Sequence, residues 1–407
     1  MKIHELLDRF GSPAYVYDLA ELRAAYAALR RSLPEPSVVY YSLKANPHPT
    51  LVAALQRLGC RAEVSSIGEL TAALDSGVGP ERCLYSGPGK TMRELVFALE
   101  RGVTHVGVDS PADLRNVAAA AEQCGRPVQV VLRVNPDRAV ANLGLTMTGG
   151  PSQFGADAEW IRSAPGEFAG TRWARVVGFH IYMGTNIAAT ATLLQTFDVA
   201  SSLAVELAEA LGIELELVDL GCGFGQPFAN AQPRYDFSDL RAPLTAMLDE
   251  RLPGWRAGRP QVAFESGRYL VGGSGALYCT VQDVKRSQGR PFVILDSGIN
   301  HLGGMAGLRR VPRIGAQLVG VDADASRPIM QQANIVGPLC TPLDYLAQGA
   351  DLPELHPGDI VAIRNVGAYG LTGSLIAFLS HPPAVEIVLD DDDVIHASQL
   401  TLVRQAR

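Results

Sequence analysis

Four short stretches hold residue types that could do chemistry together. Lys44 lies in "YYSLKANPHP" (40–49), at the end of an apolar run. His180, Tyr182 and Thr185 lie in "GFHIYMGTN" (178–186). Gly221, Gly223 and Gly225 punctuate "GCGFG" (221–225), and Glu265 and Arg268 open and close "ESGR" (265–268). A lysine carried into a core would have its charge disfavoured by burial, which keeps the amine nucleophilic. The backbone N–H groups of a glycine-rich turn can cradle a phosphate. A carboxylate can face the nitrogen of a pyridine ring. One lysine, one anion-binding turn and one carboxylate are what pyridoxal phosphate asks of a protein. Taken singly, each has a plainer reading: a snorkelling lysine, an ordinary turn, a surface ion pair. Only a shared location would unite them.

That location follows from the elements. Apolar, β-branched runs alternate with helical patterns from about 38 to 270: "VVYYSLKAN", "AEVSS", "CLYSG", "HVGVDS", "VQVVLRVNP", "VVGFHIYMG", "LELVDLGCG" and "QVAFESG". Between them, stretches such as "HPTLVAALQRLG", "SIGELTAALDSG" and "MRELVFALERG" repeat apolar residues at helical spacing. Eight such units predict an α/β fold, a (β/α)8 TIM barrel, with a doubly wound sheet as the alternative. In a barrel the chemistry sits at the C-terminal ends of the strands. Lys44 ends the first, His180 to Thr185 the sixth, the glycine turn the seventh and "ESGR" the eighth. Past 270 the pattern changes to strand-like runs, "ALYCTVQDVKRS", "PFVILDSG", "DIVAIRNVG" and "AVEIVLD", which predict a β-domain. The early "PAYVYD" (13–18) is expected to join it. The predicted division is a barrel over 20–270 and a β-domain from 1–19 and 271–407. The acidic run Asp390–Asp393 reads as a solvated turn.

Composition excludes several classes. The chain of 407 residues is 47% hydrophobic and 19% charged, ordinary for a globular enzyme. A net charge of −7 argues against nucleic acid. No apolar run is long enough for a membrane span, and charges interrupt the apolar N-terminus, so no signal peptide is expected. Six scattered cysteines without CxxC imply a reducing, cytoplasmic setting and no metal site.

The motifs, in order, resemble those of the fold-type III pyridoxal-phosphate decarboxylases, the family of diaminopimelate, ornithine and arginine decarboxylases, related in fold to alanine racemase. "YSLKANPHP" is similar to the family's lysine motif, "AEVSSIGEL" and "YSGPGKT" to the next two, and "GFHIYMGTN" to that of the sixth strand. "DLGCGFG" is similar to the glycine loop and "ESGRYLVGGSG" to the Glu-Pro-Gly-Arg motif. "GPLCTPLD" and "GAYGLTGS" are similar to the Cys-x-x-x-Asp and Gly-Ala-Tyr motifs. The resemblance implies that Lys44 carries the cofactor and that Glu265 holds the pyridine nitrogen protonated. It implies that Gly221, Gly223, Gly225, Arg268, Thr185 and Tyr369 hold the phosphate. Cys340 would return a proton to the substrate, entering the site from the partner subunit of a homodimer, and Asp344 closes the same motif. Glu63, Glu69, Arg133 and His180 would support the site. Three positions depart from the family pattern: Tyr182 replaces a stacking histidine, Ser266 replaces proline, and Cys222 sits within the glycine loop, where a small filler is expected.

Glu265 favours decarboxylation over racemisation, because a protonated ring nitrogen makes a stronger electron sink. A non-enzymatic pyridoxal-phosphate carrier would have the barrel without a β-domain. The substrate is less plain. Relatives place an arginine near Gly303 and Gly304, an acid directly after the cysteine, and an Asn-x-Arg pattern near the end. Here stand two glycines, Thr341 before Pro342, and "FLSHPP" (378–383). The resemblance is strongest to a subgroup linked to specialised metabolism, including antibiotic biosynthesis. Some of its members decarboxylate glutamyl or 3-methylaspartyl groups tethered to an acyl carrier protein. Free diaminopimelate, ornithine or lysine is the alternative. A carrier partner would need a basic docking patch, for which Arg309, Arg310, Arg313, Lys285, Arg286 and Arg290 are candidates.

Overall fold

Eight parallel strands close on themselves, in the order in which the chain makes them. The protein was analysed as a computed structural model that describes residues 2–138, 140, 145–146, 148–221, 223–303, 314–321 and 326–406. The barrel strands are Val38–Ser42, Arg61–Val64, Cys83–Tyr85, His105–Val108, Val128–Asn135, Ala174–His180, Leu217–Asp219 and Gln261–Ser266. Each pairs in parallel with the next, and the last returns to the first through Ala263↔Val38 and Glu265↔Tyr40. All eight coincide with the runs read from the sequence. Parallel strands covered by helices are buried on both faces, which is why they read as near-continuous β-branched and aromatic runs. Tyr40, Leu84, Val131, Val177, Leu217 and Ala263 pack as one buried cluster.

The intervening helices start where their sequences supply caps. Ser66 accepts from the Glu69 amide at 3.1 Å ahead of helix Ile67–Asp75. Thr91 and Glu94 form a reciprocal capping box ahead of Met92–Glu100, and Ser110 caps Pro111–Cys124. Their buried faces carry Leu70 and Ala73, then Leu95, Ala98 and Leu99, at helical spacing.

The chain forms two compact units. One comprises 26–225 and 235–270; the other comprises 1–25, 226–234 and 271–407. Residues 226–234, counted with the barrel from sequence, belong to the second unit, where the Gln317 amide donates to the Ala229 carbonyl at 2.8 Å. Strand Ala14–Asp18 is the early "PAYVYD". It lies between Gly275–Ser287, antiparallel, and Val385–Asp390, parallel. The sheet continues on one side through Arg290–Leu295, Ile329–Val336 and Tyr345–Pro353, and on the other to Asp393–Gln399. Helix Ile3–Phe10, which the sequence reading left out, buries Leu6 and Leu7 against Ala14, Val16, Ile360 and Ile387. The acidic run closes the hairpin between the last two strands. Asp391 and Asp392 take φ of +47° and +70°, a conformation that aspartate tolerates in tight turns, and Asp390 pairs with Arg23 at 2.6 Å.

Candidate active site

Strand register brings the barrel's titratable groups together. Arg133 lies opposite His180, His180 opposite Asp219, Glu265 opposite Tyr40, and Ser42 opposite Glu63. Lys44 sits one residue into the 3-10 turn Leu43–Ala45 that follows the first strand. This corrects the expectation of a buried lysine. The turn lifts its side chain clear of the apolar run, leaving it 44% exposed, with Nζ 3.2 Å from Glu63 Oε2. Its nucleophilicity therefore cannot rest on burial. The ion pair with Glu63 holds the amine in place.

Glu63 is itself buried, and burial pushes its pKa up. The Lys44 cation and hydrogen bonds from Ser86 and Ser42 outweigh that, holding the carboxyl down to about 2. Ser65 Oγ adds a bond to Glu63 Oε1 at 3.3 Å. Glu69 has a different job. Its carboxylate accepts from the Ser65 amide at 2.7 Å at the start of helix Ile67–Asp75, fixing the turn that follows Glu63.

His180, Asp219 and Glu265 form a compact buried trio whose ligand-type atoms lie within 4.8 Å of one another. His180 Nε2 stands 3.5 Å from Glu265 Oε2. Burial, then the Arg133 cation, push the His180 pKa well below its usual value, so the ring is neutral. Burial pushes Asp219 up to about 7, against the bond it accepts from the Gly221 amide at 2.9 Å. Burial, then the charges of Glu63 and Asp219, push Glu265 well above the carboxylate range. Its Oε1 is buried and has no hydrogen-bond partner among the described residues. A buried acid with an unsatisfied oxygen is costly unless a ligand meets it. Arg133 is buried too, its guanidinium 4.6 Å from the centroid of Phe154. Asp109 Oδ1 receives the neighbouring Gly155 amide at 2.7 Å and so fixes that aromatic in place.

The glycine turn is tight on every side. Gly221 has φ +64°, and a Cβ there would lie 2.8 Å from Tyr182 Cδ2; at Gly223, φ +122°, it would lie 2.9 Å from the Gly184 carbonyl. At Gly225 it would lie 2.7 Å from the Ile187 carbonyl. The Gly221 amide goes to Asp219 and the Gly225 amide to Ile187 O at 2.9 Å. The amides of these two glycines are thus engaged within the protein. Cys222 lies outside the described residues. Thr185 and Tyr182 flank the turn half-buried, and Arg268 opens the short helix Arg268–Val271.

The remaining expected residues belong to the second unit. Cys340 is exposed, on the loop between strands Ile329–Val336 and Tyr345–Pro353. Asp344 is buried and accepts the amides of Ile299 and Leu339, each at 2.8 Å. Gly298 and Gly337 crowd it so closely that a Cβ on either would collide with its carboxylate. Asp344 thus pins the backbone next to Cys340. Tyr369 is half-buried with φ +54°. Sequence reasoning named neither Asp219, Ser86 nor Phe154. For Asp219 a signal existed: an acid at the end of a buried strand, just before a glycine turn.

The barrel residues fit pyridoxal phosphate. The orphaned Glu265 oxygen, the accessible Lys44 amine and a turn with no room for side chains meet its nitrogen, aldehyde and phosphate chemistry. Comparison with known proteins agrees. Residues 19–272 match the family described as "Pyridoxal-dependent decarboxylase, pyridoxal binding domain". The L-glutamyl-[BtrI acyl-carrier protein] decarboxylase of Niallia circulans is 33% identical over 95% of this chain and 91% of that protein. The diaminopimelate decarboxylase of Zymomonas mobilis is 30% identical over 95% of this chain and 89% of that one. The crystal structure of diaminopimelate decarboxylase from Helicobacter pylori complexed with L-lysine superposes with a TM-score of 0.83 at 26% identity, covering 97% of this chain and 95% of that one. The chain belongs to the pyridoxal-dependent decarboxylases, with pyridoxal phosphate as its cofactor.

Proposed function

We propose that the protein removes the α-carboxylate from an aminoacyl group, of the glutamyl or 3-methylaspartyl type, held as a thioester on an acyl carrier protein. One observation carries the choice of a tethered substrate. At Gly303, where relatives are expected to place an arginine for a distal carboxylate, a Cβ would lie 2.8 Å from the Ile299 carbonyl. The Gly303 amide is also held by Ser374 Oγ at 2.7 Å. No side chain fits there without moving backbone, so nothing at this position reads a free charged end. Thr341, in place of an acid after Cys340, points the same way. The Niallia circulans relative, whose substrate is a carrier-bound glutamyl group by name, supports the reading.

When bound, pyridoxal phosphate supplies a ring that takes up the electron pair left as CO2 departs. The protein's part is to hold the cofactor and manage protons. Lys44 is the covalent attachment point, and Glu63 receives the ammonium when the lysine is released. Glu265 enters as a neutral acid and can pass its proton to a basic ring nitrogen, remaining as its counter-ion. His180, kept neutral, backs that carboxylate without competing as a cation. Arg268, Thr185, Tyr369 and the glycine turn hold the phosphate. Cys340, contributed by the partner subunit of a homodimer, returns a proton to Cα. The cysteine loop belongs to the second unit of its chain, 1–25, 226–234 and 271–407.

CO2 release tests the reading. L-Glutamate, diaminopimelate, ornithine and lysine are offered free, and L-glutamate also as a thioester on phosphopantetheinylated carrier. Release from the carrier-bound form alone is expected. Brisk release from free diaminopimelate would overturn the proposal in favour of the activity named for the Zymomonas mobilis relative.

A further inference from the structure

The second unit carries a hairpin on which three exposed cations cluster beside an apolar groove. Several exposed arginines elsewhere are matched by carboxylates, among them Arg175 with Glu216 at 2.7 Å, Arg256 with Asp249 at 2.7 Å and Arg138 with Glu206 at 2.8 Å. Strands Gly275–Ser287 and Arg290–Leu295 form a hairpin whose tip carries Lys285, Arg286 and Arg290. None of the three makes an ion pair among the described residues, although the chain as a whole has a net charge of −7. Asp283 is the one acid on these two strands.

Register places two of those cations beside an apolar floor. Asp283 lies opposite Ile294, Lys285 opposite Phe292 and Ser287 opposite Arg290, so one face of the sheet carries Lys285, Ser287, Arg290, Phe292 and Ile294, with Asp283 at its far end from the hairpin tip. Phe292 and Ile294 are only half-buried there. This face forms one wall of a groove of about 370 Å3. The other wall is the 337–345 loop, through Leu339, Thr341, Pro342 and Tyr345. Cys340 lies between two of these wall residues, and Leu343, on the same loop, is 75% exposed.

We propose that this groove is the docking surface for the acidic carrier protein, with the Lys285–Arg290 hairpin as its cationic rim. The inference rests on the tethered-substrate reading and deepens it. Charge complementarity chooses the occupant: three unmatched cations on an acidic protein favour an acidic partner and speed its encounter. The half-buried Phe292 and Ile294, with exposed Leu343, give the apolar contact that charge alone does not. The phosphodiester of the carrier's arm adds negative charge beside the same rim. Because the groove wall is the loop that Asp344 holds, a carrier seated here has its arm at the Cys340 loop.

The test uses the full-length, cofactor-loaded protein and its K285E/R286E/R290E variant. All three positions are exposed and lie outside the catalytic machinery, so cofactor absorbance should be unchanged. CO2 release is measured from L-glutamyl carrier protein and from the same L-glutamyl group on free pantetheine. Reversing three rim charges is expected to raise KM for the carrier-bound substrate by about tenfold or more at low salt. The pantetheine thioester should be turned over as by the wild type. Added salt should raise KM for the wild type and not for the variant. An unchanged carrier KM in the variant, with the wild type still requiring a thioester, would overturn the docking surface alone. Equal turnover of free L-glutamate by the wild type would overturn the tethered reading and this inference with it.

Discussion

On the barrel rim, Lys44, Glu63, His180, Asp219 and Glu265 are a set of charges that shift one another. On the loop between Val336 and Tyr345, Cys340 stands exposed, and the buried acid nearby, Asp344, spends its oxygens on backbone amides. The barrel fixes protonation states; the loop fixes a position. Burial separates the two strategies. Four of the five barrel groups lie where desolvation is large enough to move a pKa, so neighbouring charges decide which of them holds a proton. Cys340 is in water, so what the structure controls is where its thiol sits. A group that must hold a cofactor charge in a defined state belongs in the first setting. A group proposed to deliver one proton to an incoming substrate belongs in the second.

The comparison breaks most directly at Lys44. Lys44→Ala should abolish the absorbance of lysine-bound cofactor and lower CO2 release at least about a thousandfold. An unchanged spectrum would remove the barrel rim from the chemistry altogether. Cys340→Ala should leave that spectrum intact and slow turnover about a hundredfold. Run in D2O, it should also alter deuterium incorporation at Cα. Normal turnover with normal incorporation would mean that the loop positions nothing of consequence.

Much of this was legible in the sequence, for reasons that differ by element. The eight barrel strands showed because parallel strands buried on both faces leave long β-branched runs. The helices between them showed because apolar residues recur at helical spacing in stretches such as "SIGELTAALDSG" and "MRELVFALERG". Motif order located Lys44, Glu265, Cys340 and Asp344. What escaped depends on turns and on contacts across loops. A 3-10 turn begins at Leu43 and carries Lys44 out of the core, which no periodicity announces. Arg133 meets Phe154 because Asp109 holds the Gly155 amide, a contact between residues far apart in sequence. The amides of Gly221 and Gly225 were expected to face an anion, yet one is taken by the Asp219 carboxylate and the other by the Ile187 carbonyl. Arg309, Arg310 and Arg313, candidate docking residues from sequence, and Gly304 lie outside the described residues.

Asp219 sharpens the contrast with the smallest effect, one of stability. Burial raises its folded-state pKa to about 7, above the ordinary aspartate value. Between those two values the folded protein binds a proton that the unfolded chain does not, so unfolding releases it. The stabilisation is full below the ordinary value and is lost as pH rises through about 7. Asp219→Asn removes the titration yet keeps an oxygen to accept from the Gly221 amide. Thermal melts of cofactor-free protein from pH 5 to 8 should therefore show the wild type losing about 2 kcal/mol relative to the variant. Parallel curves would mean that Asp219 is ionised when folded. The proton expected on Glu265 would stand, because an ionised Asp219 beside it is one of the charges that raise its pKa. The rim would still hold its cofactor, and the division between a charge-setting barrel and a position-setting loop would rest on Glu63, His180 and Glu265.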